Sequence, residues 1–135
     1  MVEPTGISLR PYARQTAVRA NINPDYFERQ IETESNYDPN AHNDVSGADG
    51  IAQIVERFHP TMAGRTRDPI ASLDYAADLM RNHRDYWLSR GYNEQKAAAL
   101  ALSSYNAGRQ ATIDGLAGKK DGWPFSETVR YLEKI

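Results

Sequence analysis

The chain has 135 residues, 25% charged and 40% apolar, enough for one domain with a real hydrophobic core. Its formal net charge is −2 and its basic residues are scattered, which gives no reason to expect nucleic acid or an anionic membrane as partner. The absence of cysteine excludes disulfides, thiolate metal sites and cysteine nucleophiles, and no apolar stretch is long enough to span a bilayer.

In chain order, the opening "MVEPTGISLRPYARQ" shows no basic segment followed by an apolar run, so no signal peptide is visible. A first helix is expected from about Arg10 to Ala20. In "NINPDYFERQIETES", Asn23 is placed to cap orphan amides, Pro24 fits the first helical position, and Asp25 suits the positive end of the helix dipole. Pro39 and "NAHNDVSGADG" mark a loop from 38 to 50. A short helix is then expected from near Gly50, carrying Ile51, Ile54 and Val55, and "HPTMAGRTRDP" reads as an irregular connection.

Asp68 and Pro69 open a long amphipathic helix with Leu73, Ala76, Ala77, Met80, Arg84 and Trp87 at spacings of three and four, ended by Gly91. Asn93 caps "EQKAAALALSSYNA", whose Ala-rich middle has the highest intrinsic helix propensity in the chain, and Gly108 stops it. "GLAGKKDGWP" reads as a loop and "SETVRYLEKI" as a last helix capped by Ser126. With no strand-like alternation of useful length, the expected fold class is all-α.

The second helix carries the chemical question. At about 100° per residue, Phe27, Ile31 and Glu34 fall within roughly 60° of one another, whereas Glu28 and Glu32 lie toward the other side. Two readings are open for Glu34. It is a partly exposed or Arg-paired carboxylate at a helix end, or it is a general acid. Desolvation and the negative end of the helix dipole both raise the pKa of such a group, as acid catalysis near neutrality requires.

Four segments bear on that choice: Glu34-Ser35, "GIAQ" at 50–53, "SYNAG" at 104–108 and "ETVRY" at 127–131. In this order they resemble the motifs of the lytic transglycosylases related to the soluble lytic transglycosylase, in glycoside hydrolase family 23 of the lysozyme-like superfamily. The resemblance runs from about Pro11 to the end of the chain. It implies an all-α, lysozyme-like catalytic domain over 1–135, standing alone as a monomer or cut from a longer protein. The implied substrate is the glycan strand of peptidoglycan, with no cofactor and no metal. Glu34 would be the sole catalytic carboxylate, acid and then base, giving 1,6-anhydromuramyl products. Ser35, Gln53, Tyr105, Asn106, Glu127 and Tyr131 match family positions at or near the sugar-binding groove. Gln53 and Asn106 suit the N-acetyl and hydroxyl groups of the glycan, and the Tyr105 ring suits stacking on a sugar. For Gln53 a loop-bracing amide, and for Tyr105 and Tyr131 core packing, stand as the plainer readings.

The departures from the family pattern lie in the loop after Glu34, which is slightly longer than usual, and at Ala52, smaller than the usual Met. A loop Ser of the family is matched here by Asn43, Asp44 or Ser46. Asp44 or Asp49, if brought beside Glu34, would permit hydrolysis by water as in goose-type lysozymes. An inactive glycan-binding module of the same fold is the further alternative. His42, His59 and His83 lack metal-ligand spacing and read as solvent-facing or structural, Trp87 as core, and Trp123 as packed under its loop. The expected site of action is the periplasm or cell wall, reached by export, by a secretion apparatus or from a phage virion.

Overall fold

The computed structural model describes residues 8–117. The described part is mostly helical, as the all-α reading expects: α1 (Leu9–Arg19), α2 (Pro24–Ser35), α3 (Pro69–Ser89), α4 (Glu94–Ala107) and α5 (Arg109–Leu116). The chain divides into two compact units, Met1–Ala77 and Asp78–Ile135.

In the first unit α1 buries Leu9, Ala13, Thr16 and Ala17, a helical stripe of mostly small residues. Asp74, at the start of α3, receives the Tyr12 hydroxyl at 2.8 Å and the Thr16 Oγ1 at 2.7 Å, so α1 and α3 are joined by charge-assisted hydrogen bonds. α2 starts where its capping residues place it. The Asn23 side chain accepts from the backbone N–H of Asp25 and Tyr26, and Pro24 occupies the first turn. Its buried face carries Phe27, Gln30 and Ile31. Its outer face is tied to α1 by ion pairs, Arg14 to Asp25 and Glu28 at 2.8 Å each and Arg10 to Glu28 at 3.4 Å. These are largely solvent-exposed and contribute little individually.

α2 ends abruptly. Asn36 (φ 52°) and Tyr37 (φ 62°) both adopt left-handed backbone, which costs an L-residue roughly 1–2 kcal/mol each. The Tyr37 ring offsets that strain. It is buried, its hydroxyl donates to the Glu28 carbonyl at 2.9 Å, and the Arg10 guanidinium covers it at 4.3 Å. Burial pushes the Tyr37 phenol upward, with Arg10 opposing.

The segment around Gly50 departs from expectation. In place of a short helix over Ile51, Ile54 and Val55, β1 (Ala48–Asp49) and β2 (Ile54–Val55) pair antiparallel, Ala48 opposite Val55 and Asp49 opposite Ile54. Residues 50–53 form the turn, and short 3-10 turns follow at Glu56–Phe58 and Pro60–Met62. The physical reason lies at Gly50. It has φ 83°, outside the helical region, and a side chain there would meet the Thr66 carbonyl oxygen at 1.8 Å. The hairpin buries Ile51, Ala52 and Ile54, so Ile51 and Ile54, which suggested a helix, serve the hairpin core instead.

In the second unit Trp87, Ala97 and Leu100 form a core lined by Tyr86, Leu88, Tyr92 and Ile113. The Trp87 indole donates to the Ser104 Oγ at 2.9 Å and stands edge-on to Tyr86 and Tyr92. α4 is capped by Asn93, which accepts from the Lys96 N–H at 2.8 Å. Gly108 ends α4 at φ 96°, yet the chain re-enters a helix at once, so α5 occupies residues assigned to no element in the sequence and takes in the start of the expected "GLAGKKDGWP" loop. The Ser103 and Thr112 hydroxyls share a buried 2.8 Å hydrogen bond that holds α5 to α4. Ser126, Trp123 and the expected last helix lie outside the described residues.

Candidate active site

Glu34 occupies the last turn of α2, half-buried, on the helix face that carries Phe27, Gln30 and Ile31. The backbone on its C-terminal side is fixed twice. Asn36 N–H closes on the Glu32 carbonyl at 2.8 Å, and the Ser35 hydroxyl donates to the Ile51 carbonyl at 2.6 Å. Ser35 therefore joins the helix end to the hairpin turn, a rigid support for the neighbouring carboxylate.

The turn itself is braced from within. Gly50 N–H donates to the Ala41 carbonyl at 2.7 Å. The Gln53 side-chain Nε2 donates to the carbonyls of Gly50 at 2.9 Å and Ala41 at 3.2 Å, from a residue whose own φ is 53°. The amide hydrogens of Gln53 are thus spent on the loop, which is the plainer of its two readings. Asn43 and Ser46 are also engaged locally: Asn43 Oδ1 accepts from the N–H of Val45 and Ser46, and Ser46 Oγ accepts from Ala48 N–H. Their turn chemistry shapes the loop in the manner usual for Asn and Ser side chains.

Asp49 is the electrostatic centre of this loop. Its two oxygens accept from Thr66 Oγ1 at 2.7 Å, from Arg67 Nε at 3.0 and 3.1 Å and from Arg67 Nη2 at 2.9 Å. His42 Nδ1 lies 3.1 Å from Asp49 Oδ1, and His42 Nε2 lies 3.2 Å from Asp44 Oδ1. The Arg67 guanidinium, aided by Thr66 and His42, holds the Asp49 carboxyl below the usual Asp range against the opposing effect of burial. The Asp44 side chain is 96% exposed.

In the second unit Tyr105 and Asn106 lie in the last turn of α4, just before Gly108, Tyr105 half-buried and Asn106 exposed. Glu127 and Tyr131 lie outside the described residues. The structure therefore brings Asn43, Ser46, Asp49 and Gln53 into one braced loop that Ser35 ties to the end of the helix bearing Glu34. Thr66 and Arg67, which anchor that loop, carry no motif that would reveal them in the sequence. Gln30 was equally unmarked, although its spacing of four from Glu34 on one helix face was there to read. It is buried, and its Nε2 lacks a hydrogen-bond partner, an arrangement that costs about 1–3 kcal/mol.

Of the histidines, His59 Nδ1 lies 2.7 Å from the Tyr75 hydroxyl, and burial pushes its imidazole downward. The His83 Nδ1 lies 3.0 Å from Arg109 Nη2. Among the described residues no group of three or more His, Asp or Glu side chains is placed to hold a metal ion, and no helix is long and apolar enough to cross a membrane.

The family model of the transglycosylase SLT domain matches residues 11–123. Such domains act on peptidoglycan as lytic transglycosylases in general. No curated protein and no solved structure matches the chain.

Proposed function

The chain belongs to the transglycosylase SLT domain family, and from that premise we propose a glycoside hydrolase family 23 enzyme that cuts the β-1,4 bond between N-acetylmuramic acid and N-acetylglucosamine. The observation that carries this reading is Glu34, half-buried at the C-terminal end of a helix whose exit is fixed by the Ser35–Ile51 hydrogen bond. A carboxyl held at that place on a braced helix end is suited to give a proton to the glycosidic oxygen and to take one back.

Glu34 gives that proton to the glycosidic oxygen as its bond to muramyl C1 breaks, and the glucosamine leaves with a hydroxyl at C4. The muramyl C6 hydroxyl then attacks C1 and surrenders its proton to the Glu34 carboxylate. One C–O bond breaks and one forms, the acid is restored, no water is consumed, and a 1,6-anhydro ring results. Two-carboxylate glycosidases need a second group for the nucleophile or the water; here the substrate supplies its own nucleophile. Tyr105, Asn106, Glu127 and Tyr131 are proposed as glycan contacts, together with the side-chain oxygen of Gln53, whose nitrogen braces the loop, and Ser35 is proposed to position the acid. The chain is read as one catalytic domain acting in the periplasm or cell wall, or from a virion.

Hydrolysis in the goose-type manner requires a second carboxylate available to hold water. Both oxygens of Asp49 are already committed to Thr66, Arg67 and His42, and Asp44, the other candidate, lies beside His42 with its side chain 96% exposed, an arrangement that favours transglycosylation. The test is Glu34→Gln, expected to abolish release of soluble fragments from peptidoglycan while the melting temperature and sedimentation with insoluble peptidoglycan stay at wild-type levels. Activity within tenfold of wild type would show that another group is the acid.

A further inference from the structure

Among the described residues the Nε2 of Gln30 is the single buried side-chain nitrogen or oxygen without a hydrogen-bond partner, in a side chain only 2% exposed. The other buried polar side chains among the described residues have partners: Thr16 bonds Asp74, Thr66 bonds Asp49, Ser72 bonds the Thr66 carbonyl, and Ser103 bonds Thr112. An orphaned buried donor is costly, so its one occurrence calls for an explanation.

Its place on α2 supplies one. Gln30 and Glu34 are four residues apart, about 40° apart around the helix and roughly 6 Å along it, the spacing at which Gln and carboxylate side chains hydrogen-bond on helices. Helical side chains lean toward the N-terminus, the direction that runs from Glu34 to the turn carrying Gln30. We propose that Gln30 is a positioning residue for Glu34, its Nε2 held in reserve to donate to the carboxylate once the acid has given up its proton. The inference rests on the reading of Glu34 as the acid–base group. A hydrogen bond that forms with the anion is stronger in the transition state than in the resting acid, so it raises kcat without tightening substrate binding. The other carboxylates of α2 near its middle, Glu28 and Glu32, are paired with Arg10 and Arg14 from α1.

Gln30→Met removes the donor and keeps an unbranched side chain of similar length. The expected result is a melting temperature at or above wild type, a kcat on peptidoglycan lowered about 10- to 100-fold, and an unchanged KM. An unchanged kcat would overturn the proposal, whatever the melting temperature does. A second measurement needs no substrate and no altered core. In the wild-type protein the Gln30 side-chain amide resonances should move downfield as Glu34 ionises, and in Glu34→Gln that movement should vanish. Resonances that stay put in the wild type, or move equally in both proteins, would refute the assignment. A wild-type enzyme that released no glycan would remove the proposed function, whereas the resonance titration would still decide whether Gln30 serves Glu34.

Discussion

Replacing Gly50 by alanine gives a perturbation whose size is written in the geometry. The added Cβ would lie 1.8 Å from the Thr66 carbonyl oxygen and 2.8 Å from its carbon, and the site has φ 83°. Left-handed backbone alone costs an L-residue roughly 1–2 kcal/mol. The Thr66 carbonyl cannot move aside freely, because the buried Ser72 hydroxyl donates to it at 2.8 Å while the Thr66 side chain holds Asp49. Displacing it adds the loss of those bonds, so the total should be about 3–5 kcal/mol. For a chain of this length that corresponds to a fall of about 10–20 °C in melting temperature, read by thermal denaturation followed by circular dichroism. The same change should lower peptidoglycan cleavage, since the turn at Gly50 supports Ser35 through Ile51. A Gly50→Ala protein melting within a degree of wild type would refute the close approach and, with it, the reason the segment is a hairpin.

Other consequences follow from the same loop. Ser35→Ala leaves the carbonyl of the fully buried Ile51 without its 2.6 Å donor, which should cost about 1–2 kcal/mol and slow cleavage about tenfold by loosening the support of Glu34; unchanged stability and rate would contradict that role. The depressed Asp49 carboxyl contributes stability that is fully present above the unfolded Asp range, near pH 4, and is lost as pH falls through its lower folded value. Arg67→Ala returns that carboxyl toward normal. The gap in melting temperature between wild type and Arg67→Ala should therefore be widest above about pH 5 and should narrow below about pH 4, and a gap constant across that range would rule out the Arg67–Asp49 pair as its source.

Much of this architecture is legible in the amino-acid sequence. α2 can be read there because Asn23, Pro24 and Asp25 are local signals that act within one turn, and α4 because Asn93 and Gly108 bracket a run of good helix formers. The indole of Trp87 reads as core from its helical spacing and lies there. The hairpin is hidden because strands of two residues are too short to show alternation, and because what selects them is a contact with Thr66, far along the chain. α5 escapes notice since it has eight residues, no side-chain cap, and a preceding Gly108 that reads as a full stop. Asp49 illustrates the same limit chemically. Alone it looks like an available carboxylate, and only its bonds to Thr66 and Arg67, 17 and 18 residues later, make it a brace.

The central claim is that Glu34 works without a water-holding carboxylate and that the muramyl C6 hydroxyl closes the ring. Mass spectrometry of the fragments released from purified peptidoglycan by the wild-type protein tests it directly. Products ending in 1,6-anhydromuramic acid, lighter by one water than hydrolysed fragments and refractory to borohydride reduction, are the predicted outcome. Fragments that carry reducing-end muramic acid from the start of the reaction would contradict it.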